Sequence, residues 1–338
     1  MIKQAISDLL AGRNLDFQTT KKVMLQIMEG KATHAQTGAL LAALRLKGET
    51  IDEITACVSA MREKCLRLNP ATDVIDIVGT GGDGAFSFNI STITALAVAA
   101  SGTPVAKHGG RSVSSKCGSA DLLEALGINI MLSASESEKV LSETGICFML
   151  AQVYHSAMKY VAPVRQELGV RTIFNILGPL ANPAGANMQL LGVYDSALLH
   201  PLAEVLLNLG VKRAMVVNGL DGLDEITLTG PTRVCEIKNG KISEYTLTPE
   251  EFGFAACSLK DLTGGSPQEN AQIALQILRG EKGPKYDTIV LNTACCLYIA
   301  DKVSCINDGI QMARNIIDSG KAMAKLQEFI LLSNKVAA

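Results

Sequence analysis

Over the first 68 residues, apolar side chains recur at three- and four-residue spacing. The sets are Ile6, Leu9 and Leu10; Val23, Met24, Ile27 and Met28; Leu40, Leu41 and Leu44; then Ile54, Cys57, Val58 and Met61. This spacing puts each set on one face of a helix, so the segment predicts helices and no strand. Thr33-x-x-Gln36 and Thr50-x-x-Glu53 each set a hydroxyl before a run of free N–H groups, with a reciprocating side chain three residues on. Gly30 and Gly48 are suited to helix ends. Asn69-Pro70 breaks the pattern and marks a boundary. The apolar surface of these helices exceeds what so small a lobe could bury alone, which points to a partner surface.

From residue 74 the period changes. Short apolar runs at 74–78, 105–107, 148–151, 190–194 and 214–218 predict strands, separated by helical segments at 91–101, 119–126, 135–144 and 198–209. Strands alternating with helices imply a mainly parallel sheet flanked by helices. The expected fold class is α/β: a small all-helical N-terminal domain, 1–68, and a larger α/β domain, 70–338. Residues 155–183 interrupt the alternation with Pro and Gly and are expected to rejoin the N-terminal helices. Residues 232–254 read as antiparallel, with Asn239-Gly240 as the hairpin turn. The chain from 267 onward is helical.

Composition narrows the class. Of 338 residues, 48% are hydrophobic and 19% charged, which is ample for a core and too little charge for disorder. Lys and Arg number 31 against 33 Asp and Glu, so no basic excess favours a nucleic-acid partner. Nine cysteines form no C-x-x-C pair, and only Cys295 and Cys296 adjoin. They read as reduced thiols of a cytoplasmic protein, not a disulfide or zinc framework. The apolar runs at 93–100 and 293–300 fall short of the ~20 residues a membrane span needs. The first 14 residues carry Asp8 and no continuous apolar run, unlike a signal peptide.

The first chemical candidate is the loop Gly79-Thr-Gly-Gly-Asp-Gly84. A strand running into such a loop lets backbone N–H groups approach a phosphate without Cβ clashes. It satisfies G-x-G-x-x-G, so a dinucleotide site has to be considered. Against that, no helix opens at Gly84, Asp83 brings a negative charge into the loop, and the next strand ends in Lys107-His108 instead of an acid. Asn89-Ile-Ser-Thr92 then begins a helix, either as an ordinary N-cap or as a place for an anion at the helix start. The second candidate, Lys107 to Ser119, packs three cations, four serines and three glycines into thirteen residues at the carboxyl end of a strand. Open α/β sheets bind ligands there, and this mixture suits a polyphosphate.

Taken in order, GTGGD, NIST, KHG-x-RSVSS and SADLLEALG resemble the anthranilate phosphoribosyltransferases. The likeness continues through Tyr154-His155-x-Ala-Met158, Ala162-Pro-Val-Arg165, 171–183 and Asp221-Gly-Leu-Asp-Glu-Ile226, nearly the whole chain. It implies transfer of the phosphoribosyl group of phosphoribosyl pyrophosphate to the amine of anthranilate, with loss of pyrophosphate, in tryptophan biosynthesis. By the same likeness Gly79, Gly82, Asp83, Ser87, Asn89, Ile90, Ser91 and Thr92 would meet the donor. So would Lys107, Gly109, Arg111, Ser112, Val113, Ser114, Ser115 and Ser119. Ser91, Asp224 and Glu225 would hold magnesium, two ions per subunit. His108, Gly110, His155, Arg165 and Pro179 would line the anthranilate site, and a homodimer would form through the N-terminal helices.

Physical chemistry supports the assignments separately. Magnesium takes a few carboxylates and leaves its other positions to water and phosphate. The planar fork of Arg165 matches a carboxylate in a bidentate way. Charge on the leaving pyrophosphate would be met by magnesium and Lys107, and Arg165 would orient the acceptor. One position departs from the family: Gly110 stands where an Asn usually contacts anthranilate. The nearest rival is a pyrimidine-nucleoside phosphorylase, which shares the architecture and uses phosphate and a nucleoside. A non-catalytic relative binding nucleic acid would instead require a basic groove.

Overall fold

The computed structural model describes residues 1–112 and 116–337. It opens with four helices, α1 (Ile2–Leu10), α2 (Phe17–Met28), α3 (His34–Lys47) and α4 (Ile51–Lys64). Both expected capping boxes form, at Thr33 with Gln36 and at Thr50 with Glu53. Each cap is worth about 1 kcal/mol. Glu53 does more than the box requires. Its fully buried carboxylate accepts from the N–H groups of Thr50 (2.8 Å) and Leu15 (2.9 Å) and from Lys47 Nζ (2.9 Å). A buried charge is tolerated because it is paired and fully hydrogen-bonded, and here it ties three segments together.

Strands and helices then alternate: β1 (Ile75–Gly79), α5 (Ile90–Ala99), β2 (Val105–Gly109), α6 (Ser119–Ala125), α7 (Ala134–Thr144) and β3 (Ile146–Leu150). The Pro- and Gly-punctuated stretch contains α8 (Ala151–Tyr154), α9 (Ala162–Leu168) and α10 (Phe174–Leu180). After it come β4 (Met188–Gly192), α11 (Leu199–Asn208), β5 (Arg213–Gly219), β6 (Thr232–Lys238) and β7 (Lys241–Leu247). Helices α12 (Pro267–Leu278), α13 (Pro284–Ile299), α14 (Ile306–Asp318) and α15 (Lys321–Val336) finish the chain.

Among the described residues the strands form one sheet in the order β3-β2-β1-β4-β5-β6-β7. The first five are parallel and the last two antiparallel. Asn239 (φ 54°) and Gly240 (φ 70°) make the expected two-residue turn, which needs the left-handed region at both positions. Side chains of each inner strand alternate between two apolar layers, as the two-residue period of a strand covered on both faces demands. Met215 and Val217 of β5 face the layer of α5 and α13, whereas Ala214 and Val216 face α11 and the N-terminal helices.

The N-terminal helices therefore have no core of their own. Leu41, Leu44 and Met61 lie in one continuous cluster with Phe174 and Leu177 of α10 and Leu202 and Leu206 of α11. Helix α9 packs on α3, and α10 and α11 pack on α4. Much of the apolar surface that pointed to an outside partner is thus covered within the chain, although Leu10 and Leu46 stay exposed.

Candidate active site

The strand order reverses direction between β1 and β4. Loops leaving their carboxyl ends diverge there, which opens the crevice where open α/β sheets take ligands. The last residues of the two strands, Gly79 and Gly192, are register partners. A Cβ on Gly79 would collide with the Asp224 carboxylate, and one on Gly192 with the Asp224 main chain. Glycine at both ends lets the turn after β5 lie directly across the crevice floor and carries Asp224-Glu225 into it.

This acidic turn is buried and wired to both neighbouring loops. Asp224 Oδ2 accepts from the Gly81 N–H at 2.6 Å, and Glu225 Oε1 from the Ser91 N–H at 3.1 Å. Burial, and after it the nearby Asp83, push Asp224 up to about 7. Burial and Asp224 push Glu225 well above the usual carboxylate range, against the pull of Lys107. Lys107 is itself buried, donating to the Ile77 carbonyl and to Ser91 Oγ (3.3 Å). Burial lowers its pKa, while Asp76 and Glu225 hold it up. Asp76 and Glu225 share one lysine while Asp83 and Asp224 crowd beside Glu225, which leaves the site short of positive charge. A hard, oxygen-seeking cation fits that donor set, and its charge would return the acids to their ionised form.

Other predicted donor positions fall around this centre in different ways. Asn89 does not cap α5. Its Nδ2 donates to the Cys117 carbonyl at 3.1 Å and bridges the two loops, while its buried Oδ1 has no partner. Ile90 and Thr92 point into the core. Ser87 sits in an isolated bridge with Thr263. In the second loop, Asp121 accepts from the N–H groups of Ser112 and Gly118, both at 2.9 Å. Arg111 is turned toward α6, held by Glu124 at 2.8 and 3.1 Å and by Asp121 at 3.1 Å. A Cβ on Gly109 would press on the Phe148 ring and Ser119 Cβ, which places Gly109 beside Ser119. Val113, Ser114 and Ser115 lie outside the described residues.

The expected acceptor residues come from β2, α9, α10 and the turn after α8. His108 and His155 meet edge to face with ring centroids 5.0 Å apart, both buried. Burial, with His155 alongside, takes His108 down to about 3, although the Gly178 main chain opposes it. Burial takes His155 down to about 4. The Ala181 carbonyl lies near enough to resist that shift but not in hydrogen-bond geometry, and both ring nitrogens of His155 lack partners, as does His108 Nε2. Two neutral imidazoles therefore carry three buried ring nitrogens without a partner among the described residues. The Pro179 carbonyl accepts from Gln189 Nε2 at 2.8 Å, which fixes the end of α10 against the sheet. Arg165 is half-buried and lies 5.6 Å from the Phe174 ring centroid, and it has no ion pair among the described residues. A Cβ on Gly110 would meet nothing nearer than Ala151 at 3.9 Å, so the missing side chain leaves room.

Sequence reading passed over several residues. Asp76, in the middle of β1, is fully buried; it accepts from Asn182 Nδ2 (2.7 Å) and the His108 N–H (3.3 Å). It steadies the strand that presents Lys107 and His108, and a carboxylate inside an apolar strand was its visible signal. Thr80, whose Oγ1 accepts from the Tyr194 N–H at 3.1 Å, and Arg171 gave no such signal.

Known proteins share this fold. Residues 3–65 match the model of the glycosyl transferase family, helical bundle domain, and residues 71–323 that of the glycosyl transferase family, a/b domain. An anthranilate phosphoribosyltransferase of Ruminiclostridium cellulolyticum is 63% identical over 99% of this chain and 98% of its own. The crystal structure of the Thermus thermophilus enzyme superposes with a TM-score of 0.93 at 43% identity, covering 98% of this chain and 99% of that one. The Saccharomyces cerevisiae enzyme in complex with PRPP and Mg gives a TM-score of 0.91 at 28% identity over 99% of this chain and 98% of that one; it has also been solved with 4-fluoroanthranilate. With its helical bundle, its mostly parallel sheet and near full-length identity to these relatives, the chain belongs to the anthranilate phosphoribosyltransferases of the glycosyl transferase family.

Proposed function

We propose that the sheet rim of this chain transfers the phosphoribosyl group of phosphoribosyl pyrophosphate to the amine of anthranilate, giving N-(5-phosphoribosyl)anthranilate and pyrophosphate in tryptophan biosynthesis. The observation that carries this reading is the buried Asp224-Glu225 turn, pressed between Gly79 and Gly192 and bonded to the loops on both sides. Asp224, Glu225 and Ser91 would hold magnesium, two ions per subunit, which supplies positive charge for a departing pyrophosphate. Backbone N–H groups of the loop 79–84, with Asp83, Ser87 and Asn89 to Thr92, would meet the donor together with Lys107, Gly109, Arg111 to Ser115 and Ser119. Lys107 adds charge beside the leaving group as the bond to the sugar breaks.

Arg165, which has no carboxylate partner among the described residues, would grip that of anthranilate, with His108, His155, Gly110 and Pro179 around the ring. Gripped there, the amine is held toward the anomeric carbon, and orientation replaces base catalysis. An aromatic amine is already unprotonated at neutral pH.

The same reading divides the chain into a helical domain of residues 1–68, completed by part of 155–183, and an α/β domain from residue 70. Exposed Leu10 on α1 and Leu46 on α3 support a homodimer through the N-terminal helices. Nine free cysteines support a cytoplasmic, reducing setting; among the described residues no helix is long and apolar enough to cross a membrane. The test is loss of anthranilate fluorescence with phosphoribosyl pyrophosphate and magnesium present and each omitted in turn. Turnover without donor or without magnesium would overturn the assignment, as would phosphorolysis of thymidine or uridine in its place.

A further inference from the structure

The segment joining α9 to α10 carries Arg171, an exposed arginine between the two acceptor-side helices. Its side chain reaches the other half of the site. Nη2 donates to the Gly82 carbonyl at 2.6 Å, and the guanidinium lies 4.1 Å from the centroid of the Tyr194 ring. Gly82 has φ +75°, a left-handed conformation that a flexible glycine loop does not hold without help. One residue earlier, the Gly81 N–H is held by Asp224. One residue later, Asp83 faces Asp224. Tyr194 is itself fixed to the loop, because its N–H donates to Thr80 Oγ1 while the Thr80 N–H donates to the Gly192 carbonyl. The glycine loop is therefore gripped at two successive residues, Gly81 by the acidic turn from below and Gly82 by Arg171 from the acceptor side.

We propose that Arg171 is a positioning residue for the donor: it fixes the shape of the loop 79–84 without touching the reacting atoms, and it makes that shape depend on the placement of the acceptor segment. The planar guanidinium suits both tasks, since it stacks on an aromatic face while its edge donates to a carbonyl. An ammonium can do only one of them well. The inference rests on the phosphoribosyl transfer proposed above.

The test uses the full chain with Arg171→Ala, Arg171→Lys and Tyr194→Leu, with calorimetric binding of phosphoribosyl pyrophosphate plus magnesium and steady-state kinetics. The expected result is a 10-fold or greater rise, roughly, in donor Kd and KM for Arg171→Ala, with kcat at saturating donor within about threefold of wild type. Arg171→Lys should recover less than half of the loss on a logarithmic scale, and Tyr194→Leu should weaken donor binding in the same sense. Because Arg171 is exposed, melting temperatures should stay close to wild type. Donor affinity within twofold of wild type in Arg171→Ala, or full rescue by lysine, would overturn the proposal. A wild-type chain that bound no donor would instead overturn the functional reading.

Discussion

The proposed donor and acceptor sides of the site solve opposite electrostatic problems. On the donor side nearly every charged group already has a partner inside the protein: Asp224 with Gly81, Glu225 with Ser91, Lys107 with Ile77 and Ser91, Arg111 with Asp121 and Glu124. On the acceptor side Arg165 has no ion pair among the described residues, and three imidazole nitrogens have no hydrogen-bond partner. The difference follows from charge density. Carboxylates gathered in a buried crevice repel one another and must share every available N–H until a cation comes. A single guanidinium at a half-buried place can stand alone, since part of its hydration survives, and it stays free for one carboxylate.

The sharpest way to break this comparison is to remove the donor-side acids. Asp224→Asn with Glu225→Gln keeps shape and removes charge; kcat should fall by about 100-fold or more, and the response to added magnesium should vanish. A double variant with wild-type turnover and no need of magnesium would show that the acidic turn is only structural. Next comes Arg165→Ala. A hydrogen bond to a charged group is worth about 1.5–3 kcal/mol, so KM for anthranilate should rise about 10- to 100-fold while donor KM stays nearly constant. Equal loss for both substrates in steady-state assays would erase the division between the sides.

The histidine pair gives a smaller, pH-dependent contrast. Unfolded histidine titrates near 6.5, whereas the fold holds His108 neutral to about 3 and His155 to about 4. Below pH 6.5 the unfolded chain thus binds more protons than the folded one, and these groups withdraw stability as pH falls toward 4. Removing one of them by His155→Asn should spare up to ~1.4 kcal/mol per pH unit across that window, read as the variant-minus-wild-type difference in urea unfolding. A difference that does not change with pH would mean that His155 is not held neutral. The smallest effect is expected at Gly110. Its φ is not left-handed and the nearest atom to a new Cβ is 3.9 Å away, so Asn fits without strain. Gly110→Asn should lower the KM for anthranilate by a few-fold, about 1 kcal/mol for one added hydrogen bond; no change would show that this position no longer meets the acceptor.

How much of this was legible beforehand varies with the range of the interaction. Helices α1 to α4, their capping boxes and the hairpin at Asn239-Gly240 are local: spacing, a hydroxyl three residues before a glutamine or glutamate, and two left-handed positions specify them. The strand-then-glycine-loop pattern was equally local, and the family likeness in the ordered motifs supplied the roles. Asn89 stands at the N-cap but makes no side-chain cap: its Nδ2 donates to Cys117, 28 residues along, and its Oδ1 has no partner among the described residues. How the apolar surface of the N-terminal helices is shared out is of the same long-range kind, since α10 and α11 cover part of it from more than a hundred residues away.

The sequence by itself determined the period of each element, the class of fold and the residue types able to handle phosphate, magnesium and a carboxylate. Only the tertiary structure decided that Gly79 and Gly192 are glycines because Asp224 crosses between them, that Asp76 steadies the Lys107 strand, and that Arg171 spans the two sides. Those facts depend on contacts between segments distant along the chain. Such contacts are fixed by packing and by the need to pair buried polar groups, and no short-range pattern encodes them.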